Sequence, residues 1–361
     1  MVKTIAETLG RISFMAKKYN VGVVGYGWAA TAHIEAINAT DQGQVTAVCS
    51  TRELDAAELT AQHGGPISVF QDLHSMLADS SIDVIDITGL PSKHAEQAIA
   101  AADAKKHIIL EKPMANSPEE VASILKAAKT NSVFGCVCFE LRYSEQLQVT
   151  KELLENGLLG QLHYGEIDYY HGIGPWYGQF RWNTGKSNGG SALLTAGCHA
   201  LDALLMMMGD QAVESVTSMS TKTTSPTFSP YEYDTSSVTL VKFANGALGK
   251  TAAIVDCLQP YYFHTHLVGS EGSLLDDRFT SMKLSKERNA WHRLTMKMCD
   301  SGNVSDHPYQ SQFQAFFNAL DRGEEMPLTS FSDAARTFEV IFAADQSAAN
   351  SGQPVAPKSF L

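Results

Sequence analysis

A lysine closes an apolar strand in HIILEKPMANSPEE, His107 to Glu120. His107 to Leu110 reads as a buried strand, and Glu111, Lys112 and Pro113 follow at once. Proline restricts the residue before it to extended backbone, so the lysine side chain is aimed. A cation so placed can bind a hydroxyl and stabilise the oxygen charge that develops as hydride leaves the carbon. A Glu111–Lys112 pair that merely ends the strand is the plainer alternative, and the tripeptide alone does not choose. The second group is His199, which stands at i to the i+3 of Asp202, a neighbour on one helical face. Ala196 and Gly197 before it leave room for a ligand, and imidazole titrates near neutrality, which suits reversible proton transfer. A hydrogen-bonded core histidine is the ordinary alternative in an apolar helix.

Gly25-Tyr26-Gly27-Trp28-Ala29-Ala30 has the form G-x-G-x-x-G/A, directly after the apolar run Val21–Val24 and ahead of a helical pattern. Gly25 permits the tight turn, Gly27 lets the backbone approach a pyrophosphate, and Ala30 allows close helix–strand packing. The helix N-terminus then favours the diphosphate charge. A second strand ends AVCSTR, with Ser50, Thr51 and Arg52 where a ribose-binding carboxylate often stands. Hydroxyls with a guanidinium suit a 2′-phosphate, so the expected cofactor is NADP(H) or NAD(H), leaning to NADP(H). Arg52 in solvent or stacked on the adenine leaves both open, and Glu53 reaching the ribose favours NAD(H).

These residues need a scaffold. Strand and helix alternate from about residue 20 to 140, with near-continuous apolar strands. The expected class is therefore α/β, with an N-terminal doubly wound parallel Rossmann sheet. Residues 1–19 read as an N-terminal arm or extension. Residues 141–361 carry longer strands, turn signals such as Asn245-Gly246, and helical patterns at 145–156, 197–208, 308–320 and 333–350. They are expected to form an α+β domain on a mainly antiparallel sheet.

The net charge is −12, and no basic run is dense enough to neutralise phosphates, which argues against nucleic-acid or membrane-surface partners. No apolar stretch reads as a bilayer span and no signal peptide is evident. The six cysteines are scattered without a C-x-x-C pair, as expected of free thiols in a reducing cytoplasm.

Further polar candidates are Arg142, after the sixth strand, and the loop Gly174–Gly190, whose Trp176, Arg181, Trp182 and Asn183 could stack on and hydrogen-bond a sugar ring. The same tryptophans could equally pack a domain interface. His264 and His266 share one strand face, but spacing fixes no third ligand, so no metal is expected; His163, Glu166 and Asp168 give a similarly weak signal. His307 and Tyr309 stand at a helix start near enough in pattern to join the site.

Taken with GYGWAATAH (Gly25–His33), TGLPSKHAEQAIAA (Thr88–Ala101), EKPMA (Glu111–Ala115), GGSALLTAGCHALDALL (Gly189–Leu205) and GSEGSL (Gly269–Leu274), the chain resembles the glucose–fructose oxidoreductase / inositol dehydrogenase / rhizopine-catabolism (Gfo/Idh/MocA) family over about residues 20–357. The resemblance implies a dehydrogenase acting on one carbinol of a sugar, cyclitol or related polyol. It implies that Lys112 binds the reacting hydroxyl, that His199 transfers the proton, and that Tyr26, Trp28, Ala29, Thr88, Gly89, Leu90, His94 and Glu111 join the glycines and Lys112 at the cofactor. It further implies that residues 141–361 form a substrate-binding and oligomerisation domain on a large, open sheet, in a homodimer or homotetramer. Many members carry D-x-x-x-H-x-x-D where this chain has Thr195-Ala196-Gly197-Cys198-His199-Ala200-Leu201-Asp202. Thr195 can hydrogen-bond a substrate hydroxyl but cannot act as a base. That departure keeps a rival open, in which a tightly held cofactor serves transient oxidation in a lyase, hydratase or glycosidase reaction. A non-enzymatic cofactor sensor is a further rival, opposed by intact Lys112 and His199.

Overall fold

A computed structural model of the chain describes residues 19–287, 289–300 and 307–360. Apart from Tyr19, the N-terminal arm lies outside the described residues.

The strands β1 (Tyr19–Val24), β2 (Gly43–Cys49), β3 (Ser68–Phe70), β4 (Val84–Ile87), β5 (His107–Leu110) and β6 (Gly135–Val137) alternate with α1 (Trp28–Asn38), α2 (Ala56–His63), α3 (Leu73–Leu77), α4 (His94–Asp103) and α5 (Pro118–Asn131). They pair in parallel in the order β3-β2-β1-β4-β5-β6. Helix starts follow local chemistry. Asp55 and Asp72 accept backbone N–H bonds at the heads of α2 and α3, and Ser117 accepts from Glu120 at the head of α5, with Pro118 in the first turn. β6 is shorter than the apolar run SVFGCVCF suggests. Its edge is completed by the distant segment around Thr329, whose carbonyl accepts the Val137 N–H, and by a bridge between Cys136 and Ser330. The order in which strands are added reverses between β1 and β4, so a ligand crevice is expected at their carboxyl ends.

The second sheet has the order β14-β13-β12-β11-β7-β10-β9-β8. Its strands are β7 (Leu162–Tyr170), β8 (Val213–Thr221), β9 (Ser236–Phe243), β10 (Leu248–Ile254), β11 (Tyr262–Gly269), β12 (Gly272–Leu275), β13 (Arg278–Ser281) and β14 (His292–Arg293). Only β7 and β10 pair in parallel; every other pairing is antiparallel. Before β7 runs α6 (Glu145–Glu155); between β7 and β8 come the short turns α7 (Phe180–Asn183) and α8 (Lys186–Gly189), then α9 (Cys198–Met208). α10 (Tyr309–Arg322) and α11 (Phe331–Ala349) close the chain, with α9 and α11 packed on one face of the sheet. The opposite face exposes Val238, Leu240, Leu248 and Tyr262.

Sequence order does not decide where every element packs. α10 lies in the second half of the chain but docks on α1 of the first sheet, burying Phe313, Phe316 and Phe317 in one core with Ile34 and Ile37. The fit is close: a Cβ on Gly43 would stand 2.4 Å from the Phe317 ring. One membrane expectation also needs correcting. The run Lys186–Met208 is long and apolar enough to pass as a span by composition, but 83% of its window is buried inside the protein.

Candidate active site

β1 delivers the chain into Gly25 at φ +100°, a conformation that favours glycine, where a side chain would also press on Thr88 Oγ1 at 3.1 Å and the Gly89 backbone at 3.3 Å. Gly27 differs: a Cβ there would meet nothing within 4 Å, because it faces open cleft. That cleft, about 1310 Å³, is lined by Gly25, Tyr26, Gly27, Trp28 and Ala29 after β1, by Ser50, Thr51 and Arg52 after β2, and by Thr88, Gly89 and Leu90 after β4. A bare backbone cradle at a helix N-terminus, along an elongated cleft, fits a dinucleotide. Arg52 donates to the Tyr26 carbonyl and lies 6.0 Å from the Tyr26 ring, so its guanidinium is held at the cleft wall. Ser50 Oγ accepts the Arg52 N–H at 3.1 Å.

A second, smaller cavity shares Trp28, Ala29, Tyr177 and Gln179 with the first and is lined by Glu111, Lys112, Glu140, Tyr169, His171, Thr195, His199, His307 and Tyr309. It gathers groups from both sheets. Lys112, after β5, donates its Nζ to the Thr195 carbonyl at 3.0 Å. Thr195 lies in a widened turn, Leu193–Gly197, with π-type hydrogen bonding at the head of α9, a feature often found at functional sites. Its hydroxyl is turned to Asn183, donating to Oδ1 at 2.5 Å. His199 is buried; Nδ1 has no hydrogen-bond partner among the described residues, and Nε2 stands 4.0 Å from Glu140 Oε1. Burial, with the charges of Lys112 and His307, holds its pKa well below the ordinary value, so the imidazole rests neutral.

Behind Lys112 lies a buried charge network. Glu111 accepts from the Lys112 N–H at 3.0 Å, bonds His33 Nε2 at 3.1 Å and accepts from Tyr309 OH at 2.8 Å. The other nitrogen of His33 contacts both oxygens of Asp86, at 3.0 and 3.1 Å. Burial alone would push Glu111 up, but the His33 hydrogen bond and charge, then Lys112, hold it at about 2. Burial would likewise lower His33, yet the flanking carboxylates raise it to about 10. The helix that opens the dinucleotide cradle is thereby tied to the carboxylate that orients Lys112.

Several expected site residues take other posts. Arg142 does not line either of these cavities. It is buried in a bidentate pair with Asp202, Nε and Nη2 each at 2.7 Å, and in an ion pair with Asp333. Thr337 also donates to Asp202, at 2.7 Å, so Asp202 serves this pair and not His199. Trp176, Arg181 and Trp182 line the large cleft and not the Lys112 cavity; Trp176 donates to the Gly172 carbonyl. His94 does not line the cleft. Its ring nitrogens face the carbonyls of Pro113, at 2.7 Å, and Gly89, at 3.3 Å, joining the loops after β4 and β5. Glu111 lines the smaller cavity only. His307 and Tyr309 do reach it. On the far face, Glu166, His264 and His266 come within metal-ligand reach of one another, but Lys250 pairs with Glu166 and Asp276 with His264.

Sequence reading passed over Glu140, Tyr169, His171 and Tyr177. Glu140 offered the signal that singled out Lys112: an ionisable residue directly after an apolar strand at the ligand edge of the sheet. His171 ends β7 in the same way; burial and Lys112 lower it to about 4.

Models of one family match both halves of the chain. The oxidoreductase family with an NAD-binding Rossmann fold matches residues 19–139, and the Gfo/Idh/MocA C-terminal domain matches residues 147–275. Myo-inositol 2-dehydrogenase of Thermotoga maritima is 26% identical over 74% of this chain and 78% of its own. Levoglucosan dehydrogenase of Pseudarthrobacter phenanthrenivorans is 28% identical over 71% of this chain and 73% of its own. A solved levoglucosan dehydrogenase in complex with NADH and levoglucosan superposes with TM-score 0.83 at 24% identity, covering 95% of this chain and all of that one, 100%. Two matched halves, a parallel sheet with its glycine cradle and a mainly antiparallel one, make this chain a member of the Gfo/Idh/MocA oxidoreductase family.

Proposed function

We propose that the protein is an NAD(P)-dependent dehydrogenase that interconverts a carbinol and a carbonyl of a sugar, cyclitol or similar polyol. One observation carries the reading: Lys112 from the first sheet and His199 from the second meet in a cavity continuous in its lining with the glycine cradle. The relatives named as myo-inositol and levoglucosan dehydrogenases support the same class, and they lend the transient-oxidation rival no support.

The bound dinucleotide supplies the hydride acceptor or donor. Lys112 binds the reacting oxygen and stabilises its developing charge. Glu111, fixed by His33 and Tyr309, holds the Lys112 backbone in place. His199, neutral at rest, takes the hydroxyl proton. Tyr177 and Trp28, in edge contact at 5.9 Å, wall the junction of the cavities and help exclude water. Holding the reacting groups together supplies much of the acceleration.

Ser50, Thr51 and Arg52 support NADP(H) over NAD(H): they line the cleft after β2, and the carboxylate nearby in the lining, Asp72, is engaged by Ser75 at the head of α3. The exposed apolar face of the second sheet supports a homodimer or homotetramer. The six free cysteines are compatible with a reducing compartment such as the cytoplasm. The first test is a titration with NADPH and NADH by nicotinamide fluorescence, before and after exhaustive dialysis, followed by a polyol screen. Reversible, preferential NADPH binding with turnover supports the reading; binding of neither cofactor overturns it.

A further inference from the structure

We propose that Glu140 is the proton-holding partner of His199, taking the proton that His199 removes from the substrate hydroxyl and returning it in reduction. The inference rests on the dehydrogenase reading above and deepens it.

Glu140 stands three residues past the end of β6, the strand next to the one that delivers Lys112. It is 1% exposed, lines the same cavity as Lys112 and His199, and has no hydrogen-bond partner for either carboxyl oxygen among the described residues. A buried carboxyl left unpaired is costly, so a group kept this way inside a substrate cavity calls for a role. Its Oε1 stands 4.0 Å from His199 Nε2 and 3.7 Å from His307 Nε2, spans that one water or a shift of about 1 Å would close. Glu111, the other carboxyl of the cavity, is engaged by His33, Tyr309 and the Lys112 N–H. Thr195, four residues before His199, has no acid–base capacity, and its hydroxyl is occupied by Asn183.

His199 is a poor resting place for a proton, because burial, Lys112 and His307 all disfavour the imidazolium. Glu140 is a better one. Burial first, then the charge of Glu111, raise its carboxyl to about 8, against the lowering influence of Lys112 and His33. The other titratable groups around it are Tyr169, Tyr177 and Tyr309, with the thiols Cys138, Cys198 and Cys299, all held protonated by burial. In oxidation the substrate O–H and C–H bonds break. The electron pair of the C–H bond leaves with its hydrogen to the nicotinamide, and the hydroxyl proton goes to His199. The Nε2 proton of His199 passes to the Glu140 carboxylate, and then to solvent. Reduction runs the same transfers backwards. Glu140 thus acts through His199, as a positioning and proton-holding residue.

The test is E140Q, which keeps shape and removes the titration, read three ways. Difference infrared spectroscopy of the wild type without substrate should show a protonated carboxyl at pH 7 that ionises near pH 8 and is missing in E140Q. Wild-type kcat/KM for oxidation should rise through that pH; E140Q should lose this limb and fall by about 10²-fold or more. NADH binding by fluorescence should stay within about twofold, as Glu140 does not line the cleft that holds the glycine cradle. A carboxyl already ionised at pH 7, or an E140Q enzyme with wild-type rate and pH profile, overturns the proposal. Wild-type inactivity on every polyol removes the dehydrogenase reading and this role together, and is distinct from an active wild type matched by E140Q.

Discussion

Lys112 shows how one residue's type and setting define an expectation. Its ammonium already donates to the Thr195 carbonyl, so it is directed at the head of α9 before any substrate arrives. Lys112→Ala is expected to lower kcat by about 10²–10³-fold, the range for losing one oxyanion donor, while NADH affinity persists; unchanged turnover would sink the catalytic assignment. Arg52 belongs to the same scale. If it pairs with a 2′-phosphate, Arg52→Ala should weaken NADPH by about 10–100-fold and NADH little, as a charged hydrogen bond contributes roughly 1.5–3 kcal/mol. Equal losses for both cofactors in the fluorescence titration would remove the NADP(H) preference. Glu140 adds a pH effect that needs no substrate. The folded chain keeps its proton to about pH 8, whereas the ordinary value is 4.5. Between these the unfolded state binds fewer protons, so stability falls as pH rises, and the loss is complete above the folded pKa. E140Q removes this loss, so its Tm should gain on the wild type steadily from pH 5 to 8. A constant difference would show that the carboxyl is not protonated in the fold.

At the scale of elements, β5, β6 and α9 each contribute one end to the cavity, and a buried ion pair sets how they meet. Arg142, just beyond β6, clamps Asp202 on α9 and Asp333 on α11. Removing one partner leaves a buried charge uncompensated, which costs about 3–5 kcal/mol. Arg142→Ala should therefore unfold at markedly lower urea, with cofactor affinity nearly unchanged in the protein that remains folded. A stable variant with a raised KM would return Arg142 to the substrate site. His33 plays the matching part between α1 and β5, where a charged imidazole bridges Asp86 and Glu111.

At the scale of the molecule, two sheets divide the work, one holding the dinucleotide cradle and the other presenting His199. The face of the second sheet opposite α9 and α11 leaves Leu240 55% and Leu248 53% exposed, on adjacent strands. Exposed leucines like these, beside the ion-paired Lys250 and Glu166 on the same face, support an interaction surface. Size-exclusion with light scattering is expected to report a dimer or tetramer, and Leu240→Asp to shift it toward monomer. A wild-type monomer at micromolar concentration would overturn the expectation.

The alternation of strand and helix that makes a doubly wound parallel sheet, the glycine cradle and the placing of Lys112 at the ligand edge were all legible in the chain, because each follows from local periodicity and turn chemistry. The antiparallel character of the second sheet was legible for the same reason, through alternation and turn signals such as Asn245-Gly246. Long-range pairing was not. Arg142 looked like a substrate ligand until Asp202, 60 residues away, and Asp333, 191 away, took its guanidinium. Glu140 drew no notice in the sequence, yet folding buries it with no hydrogen-bond partner among the described residues. α10 gave no sign in its own pattern that its apolar stripe belongs to α1. Sequence by itself determined which elements form and which residues stand at their ends. Only the tertiary structure decided which charges are neutralised and which are left unpaired, because burial and partner distance are properties of the packed chain and not of any segment of it.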